Sequence, residues 1–180
     1  MQPLDFKTLS IQDLATVVAT HLQKNGIDAV LVGGSCVTIY AHNEFMSYDL
    51  DFISYDPIKG TLKAMETLGF LFDKRKYFTH PDCPFFIEFL NPPIAIGNTP
   101  IDTYHNLNSG LGELKLLTPT DCVKDRLAAY YHWQDKTALH QAIAVAKAQP
   151  IDIKDVQHWS QQEHQGHLVN DFLKELGHRV

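Results

Sequence analysis

Apolar residues recur along this chain at two spacings, which predict a succession of helices and strands. From residue 8 to residue 25 they fall on one stripe with helical spacing, and Ser10 with Asp13 resembles a capping box. Between residues 47 and 54 polar and apolar residues alternate, which is typical of a strand. The whole pattern predicts helices at 8–25, 35–43, 57–69, 118–134, 135–149, 152–165 and 167–177, and strands at 28–34, 47–54, 70–80, 84–91 and 112–119.

The character of the sequence changes near Pro119. Strands and helices are interspersed up to residue 117, and the pattern is mostly helical from there to the end. We therefore predict an α/β (α+β) fold: a mixed sheet flanked by helices at 1–117, and a helical C-terminal region at 118–180 packed on that core.

The composition excludes several classes of protein. The chain has 180 residues, of which 44% are hydrophobic and 20% charged, as in an ordinary globular protein. No apolar run is long enough for a transmembrane helix, and the N-terminus lacks the pattern of a secretory signal. The net charge of −6 does not favour non-specific attraction to nucleic acid. Three widely spaced cysteines indicate no disulfide framework, so we predict a cytoplasmic protein without a membrane partner.

Candidate chemistry begins in the stretch VLVGGSCVTIYAHNEFMSYDLDFIS at 30–54. Asp49 and Asp51 alternate within one strand, so their carboxylates point to the same face and repel each other. A bound divalent cation removes that repulsion, and Mg²⁺ prefers oxygen ligands together with substrate phosphates. Gly33 and Gly34 follow a strand and precede a helix, where a phosphate can approach the backbone closely, and Ser35 adds a hydroxyl.

A third carboxylate would complete a site of this kind. Glu88 is the best candidate because it lies in PFFIEFL, the most apolar predicted strand, where a charged residue is hard to explain otherwise. Asp82 and Asp102 are weaker candidates, since both lie in turn-like sequence. Each feature alone has an ordinary structural explanation: a tight turn for the glycines, a solvated edge for the aspartates, an edge position or an ion pair for Glu88. Their combination in this order favours a site.

The sequences GGS at 33–35, DLD at 49–51 and IEF at 87–89 resemble the nucleotidyltransferase superfamily with the DNA polymerase β-like fold. The chain looks most like the minimal and the abortive-infection toxin-type nucleotidyltransferases. The predicted order of elements extends the resemblance to about residue 117. One departure is Phe45, which stands where related toxin-like proteins often have an arginine.

The resemblance implies a role for each site residue. Asp49, Asp51 and Glu88 would be catalytic and would bind Mg²⁺ or Mn²⁺. Gly33, Gly34, Ser35, Ser47 and Lys124 would contact the nucleotide, Lys124 by a loose match to a lysine of the abortive-infection type. Lys124 and its neighbours Asp125 and Arg126 would compensate for the arginine that Phe45 replaces, and a solvated helix face is the ordinary explanation for all three.

The activity implied is attack of a hydroxyl on the α-phosphate of an NTP, with release of pyrophosphate. The acceptor stays open between RNA, a protein and a small molecule, and a toxin–antitoxin partner is a further implication. Two alternatives also stay open. One is an inactive binding module that senses a nucleotide or pairs with a partner protein, and the other is a metal-dependent phosphoesterase that uses the same carboxylates.

Overall fold

The computed structural model describes residues 4–73 and 76–177. Within these residues the elements, in chain order, are α1 (Ile11–Lys24), β1 (Ala29–Val32), α2 (Gly34–Tyr40), β2 (Asp49–Ser54), α3 (Ile58–Thr67), β3 (Leu71–Phe72), β4 (Tyr77–Thr79), β5 (Phe86–Leu90), β6 (Ala95–Ile96), β7 (Thr99–Pro100), β8 (Tyr104–Ser109), β9 (Gly112–Leu117), α4 (Pro119–Trp133), α5 (Lys136–Ala148), α6 (Ile153–Gln162) and α7 (Val169–Glu175).

Side-chain caps explain where several helices begin. Ser10 caps α1 by accepting a hydrogen bond from the Asp13 amide, as the sequence predicts. Thr118 caps α4 in the same way, and Pro119 occupies the first turn, where a missing amide proton costs nothing. These caps fix the start of the helices that flank the sheet.

The sheet has seven strands in the order β3-β4-β5-β2-β1-β9-β8. It is mixed, because β1 pairs antiparallel with β2 but parallel with β9, and β2 pairs parallel with β5. A mixed sheet flanked by helices is the predicted fold class, which the structure confirms. The parallel pairing of β2 with β5 is the relationship that assembles the candidate site.

Two predictions of strands need correction. The sequence predicts one strand over 70–80, but β3 and β4 form a hairpin there, in which the Asp73 amide donates to the Tyr77 carbonyl at 2.8 Å. Lys74 and Arg75 lie outside the described residues. The sequence predicts nothing at β8, an edge strand of mostly polar residues that pairs only with β9 along its length.

The helical region continues the core of the sheet. Buried apolar residues from both parts belong to one cluster, which includes Leu31 and Leu116 from the sheet and Val123 and Trp159 from the helices. α5 packs against both α2 and α4, and α6 packs against α4. The proposed boundary at residue 117 stays a prediction. Among the described residues, no helix has both the length and the apolar character required to cross a membrane.

Candidate active site

The two aspartates of β2 lie on one face of the sheet. Asp49 and Asp51 are both partly exposed, whereas Leu50 between them is fully buried on the opposite face. This alternation follows from the pleat of a strand, in which successive side chains point to opposite sides. The structure therefore places Asp49 and Asp51 on one face, as the sequence predicts.

Glu88 joins the same face from the neighbouring strand. In the parallel pairing of β2 with β5, Asp51 is the direct partner of Glu88, and Asp49 is the partner of Phe86. Direct partners on adjacent strands point to the same side of a sheet, so the carboxylates of Asp49, Asp51 and Glu88 share one surface. Two strands distant in sequence thus bring together the three acidic residues that the sequence selects.

The glycine turn after β1 lies against this surface. Gly33 has φ 72° and ψ −151°, a backbone conformation that is essentially restricted to glycine. A Cβ atom added there would lie 2.6 Å from Oδ2 of Asp51. Because Val32 pairs directly with Asp51, the end of β1 carries this turn to the aspartate. The missing side chain of Gly33 is thus required by the position of the Asp51 carboxylate.

Ser47 and Gly34 form the next part of the site. A Cβ atom on Gly34 would lie 3.3 Å from Oγ of Ser47. The Ser47 hydroxyl hydrogen-bonds to the Asp49 carboxylate and, at 3.2 Å, to the Asp49 carbonyl. The Ser47 amide in turn donates to the Thr38 hydroxyl of α2 at 3.0 Å. These contacts fix Ser47, and through it Asp49, relative to the glycine turn.

The Ser35 side chain points away from this surface. It is fully buried, and its hydroxyl donates to the Val32 carbonyl at 3.2 Å. A hydroxyl held inside the fold in this way stabilises the turn between β1 and α2. Contact of Ser35 with a nucleotide stays a prediction, and in this conformation the hydroxyl is not directed at the carboxylates.

The acidic cluster consists of Asp49, Asp51 and Glu88, whose like charges repel each other. Burial, followed by the negative charges of Asp49 and Glu88, raises the pKa of Asp51 to about 7, against a smaller lowering effect of the Arg126 guanidinium. The side-chain carboxylates of Asp51 and Glu88 accept no hydrogen bond from, and form no ion pair with, any of the residues that the structure describes. Two adjacent, half-buried carboxylates without a cationic partner are a costly arrangement, and a bound cation would relieve the cost.

Lys124 and Arg126 of α4 occupy different environments. Lys124 is buried, and its Nζ lies 3.3 Å from Asp121 Oδ1 and 2.7 Å from Asp155 Oδ2, so α6 and α4 enclose its charge. Arg126 lies close enough to Asp51 to affect its pKa, and its Nε donates to Asp125 at 2.9 Å. Contact of Lys124 with a nucleotide stays a prediction, and Arg126 is a basic side chain whose charge reaches Asp51.

The rotation of α4 about its axis separates Arg126 from Lys124. Arg126 follows the fully buried Cys122 by one helical turn, whereas Lys124 is displaced from it by about 200° around the helix axis. Cys122 is buried near Cys36 of α2, where it contributes to the raised pKa of the Cys36 thiol, so that side of α4 faces α2 and the glycine turn before it. The sequence gives the spacing of these residues along the helix, but it does not show which side of α4 faces the carboxylates.

The donor set fits a hard divalent cation chemically. Asp49, Asp51 and Glu88 offer carboxylate oxygens, which Mg²⁺ and Mn²⁺ prefer, and no sulfur ligand accompanies them. Within the described parts of the chain, no three His, Cys, Asp or Glu side chains are already arranged to hold a metal ion. Binding would therefore require the carboxylate groups to turn toward a common point, which the partial exposure of all three residues permits.

Comparison with known proteins extends to the fold. The crystal structure of an antigenic nucleotidyltransferase-like protein from Paracoccidioides brasiliensis superposes on this chain with a TM-score of 0.65. The two sequences are 13% identical, and the match covers 94% of each chain. No family model matches the sequence, and no curated protein does. The chain therefore has a nucleotidyltransferase-like fold over nearly its whole length.

Proposed function

We propose that this protein is a Mg²⁺-dependent nucleotidyltransferase that transfers an NMP group from an NTP to a hydroxyl acceptor. The observation that carries the proposal is the pairing of Asp51 with Glu88 on one face of the sheet, beside Asp49 and without a cationic partner among the described residues. The fold of the chain is consistent with this activity. Mn²⁺ would satisfy the same oxygen donors.

The carboxylates have distinct roles in this proposal. Asp49 and Asp51 hold the metal, which supplies neutralisation of the charge on the reacting phosphates when bound. Glu88 accepts the proton of the acceptor hydroxyl. The acceptor oxygen forms a bond to the α-phosphorus as the bond from that phosphorus to the pyrophosphate oxygen breaks. The NMP ester, pyrophosphate and the proton on Glu88 account for all the atoms, and the proton then passes to solvent.

The surroundings of the carboxylates orient the nucleotide. Because Gly33 and Gly34 carry no side chains, the backbone of this turn packs closely against Asp51 and Ser47, and the phosphates would lie against that backbone. Ser47 holds Asp49 in place. Arg126 supplies positive charge near Asp51, a role that the sequence analysis gave to the segment containing Lys124 and Arg126. Ser35 would act through its main chain only.

A binding module without turnover is the second candidate. The arginine expected near the first aspartate is Phe45, Lys124 is enclosed by two carboxylates, and Arg126 is engaged with Asp125. Because these positive charges are missing or engaged with other residues, we expect the protein to bind a triphosphate weakly. A toxin-type role with an antitoxin partner belongs to either candidate and is supported by the sequence resemblance alone.

The test measures nucleotide binding and NMP transfer separately. Calorimetry with each of the four NTPs in Mg²⁺ should give saturable binding that EDTA abolishes and that Asp49→Asn weakens at least about tenfold. Asp102→Asn is the matched control, because Asp102 is exposed and lies outside the site. Glu88→Gln should retain NTP binding and lose pyrophosphate release. Absence of binding for every NTP would refute the proposal, and binding without transfer to any acceptor would select the binding module.

A further inference from the structure

A cavity of about 490 Å³ lies beside the β3–β4 hairpin, between the end of β5 and the first turns of α3. Its aromatic wall consists of Phe72, Phe78 and Phe89. Phe72 is the direct partner of Phe78, and Phe78 is the partner of Ile87. Because Ile87 and Phe89 flank Glu88 in β5, their side chains point to the opposite face of the sheet. The sheet therefore separates this aromatic wall from the carboxylates.

The aromatic wall is a continuous surface that runs from solvent into the core. The ring centroids of Phe72 and Phe78 are 4.9 Å apart, and Phe78 packs edge-on against Phe89 at 5.5 Å. Phe89 in turn stacks at 5.8 Å on Phe52 of β2, which is fully buried. Phe72 at the outer end is 50% exposed. A surface of packed rings such as this one favours contact with another aromatic ring.

The rim of the cavity leaves further apolar surface in solvent. Tyr55, Ile58 and Leu90 line it together with Phe72, and all four belong to the exposed large hydrophobic side chains of the described chain. The Tyr55 hydroxyl accepts a hydrogen bond from the Ile94 amide at 3.1 Å, which holds this part of the rim in place. Exposed apolar side chains concentrated around one cavity are typical of a ligand site, and the volume accommodates a small organic molecule.

Lys76 supplies positive charge to the cavity. Among the described residues that line the cavity it is the basic one, and its exposed side chain forms no hydrogen bond or ion pair with any described residue. The lining also includes two acidic residues. The Asp56 carboxylate accepts a hydrogen bond from the Asp28 amide at 2.8 Å, and the Glu88 side chain belongs to the opposite face of the sheet. The Lys76 ammonium can therefore pair with an anionic group of a ligand.

We propose that this cavity is a second small-molecule site, separate from the carboxylates, and that its ligand is an aromatic carboxylic acid. The ring system would pack on Phe72 and Phe89, and the carboxylate would pair with Lys76. One lysine in a chain with a net charge of −6 favours a singly charged acid over a polyphosphate. The site takes no part in NMP transfer, so the inference goes beyond the proposed function and does not depend on it.

The test compares three probes that share one ring system and differ in charge: 2-naphthoate, 2-naphthylmethanol and 2-naphthylmethylammonium. Binding is followed through the methyl NMR signals of Ile58 and Thr61, which both line the cavity. We expect saturable shifts of both signals, with 2-naphthoate bound about threefold more tightly than the neutral alcohol and the ammonium bound most weakly. Lys76→Gln should remove the preference for the acid and leave binding of the alcohol unchanged, because only the charge is lost.

Two further variants test the aromatic wall. Phe72→Ala should weaken binding of all three probes about tenfold, since it removes ring surface. Leu71→Ala is the matched control, because Leu71 is the neighbouring β3 residue, 63% exposed, and does not line the cavity; it should change affinity less than about twofold.

The separation from the carboxylates is tested by competition. ATP with Mg²⁺ should not displace 2-naphthoate, and EDTA should not change its affinity. The inference is overturned if 2-naphthoate does not saturate the two methyl signals, if the ammonium binds as tightly as the acid, if the preference for the acid survives in Lys76→Gln, or if ATP with Mg²⁺ displaces the probe. Failure of every NTP to bind, with 2-naphthoate still bound, refutes the proposed function and leaves this site in place.

Discussion

Asp51 on β2 is the direct partner of Glu88 on β5, so two carboxylates from parallel strands stand side by side on one face of the sheet. Burial and the negative charges of Asp49 and Glu88 raise the pKa of Asp51 to about 7. The ionised form of this residue is therefore disfavoured in the folded protein. Both the stability of the fold and its affinity for cations should depend on pH as a result.

Replacement of Asp51 by asparagine should stabilise the cation-free protein at high pH. The unfolded chain ionises Asp51 near pH 4, but the folded chain retains the proton up to about pH 7, so this residue lowers stability progressively between those values. Asp51→Asn should raise the free energy of unfolding by about 2 kcal/mol at pH 8 and hardly at all at pH 4. Urea denaturation in EDTA measures both. An equal effect at the two pH values would contradict the assignment.

Affinity for Mg²⁺ should fall as the pH decreases through 7. Below that value Asp51 is protonated and must lose its proton before it can bind a cation. We expect apparent affinity about tenfold weaker at pH 6 than at pH 8, measured by calorimetry in the presence of an NTP. In Asp51→Asn the affinity should be low at both pH values. A wild-type affinity that does not change with pH would exclude Asp51 as the titrating ligand.

Alanine at Gly33 should disrupt the site through a steric clash. The new Cβ atom would lie 2.6 Å from Asp51 Oδ2, in a backbone conformation that alanine avoids. Gly26→Ala is the control, since Gly26 also has a positive φ of 75° but has no atom within 4 Å of such a Cβ. Gly33→Ala should cost about 2 kcal/mol more in unfolding free energy than Gly26→Ala. Equal costs would show that Asp51 moves aside freely.

Arg126 and Lys124 should affect different properties. Lys124→Met leaves the Asp121 carboxylate buried and unpaired, so it should lower the free energy of unfolding by about 3 kcal/mol and leave NTP affinity unchanged. Arg126→Gln removes positive charge near Asp51 and should weaken NTP binding about tenfold. Chemical denaturation and calorimetry on both variants separate the effects. If only Lys124→Met loses NTP affinity, that result would support the sequence-based prediction that Lys124 contacts the nucleotide.

The sequence predicts the parts of the fold that depend on local pattern. The alternation around Leu50 fixes the face of Asp49 and Asp51, and the same alternation around Ile87 fixes the face of Glu88. The edge strand β8 is missed because its residues are largely polar and half-exposed, so neither burial nor propensity distinguishes it from a loop. Its strand structure comes from pairing with β9, which is a tertiary contact.

The direction of individual side chains is harder to predict than their position. Whether the Ser35 hydroxyl turns toward a ligand or toward the Val32 carbonyl depends on the local turn, and the structure has the second arrangement. The environments of Lys124 and Arg126 depend on how α4 is rotated against α2 and α6. Packing between distant segments decides that rotation, and a single sequence gives no direct measure of it.

Arg126 comes from the helical region, whereas the carboxylates that it influences come from the sheet. Exchange of the helices with those of another protein would therefore alter the charge environment of the carboxylate surface, even if the graft preserved every acidic residue. A chimera designed to transfer the properties of this surface must carry the α4 segment together with β2 and β5, because the charges that act on Asp51 come from both the helix and the sheet.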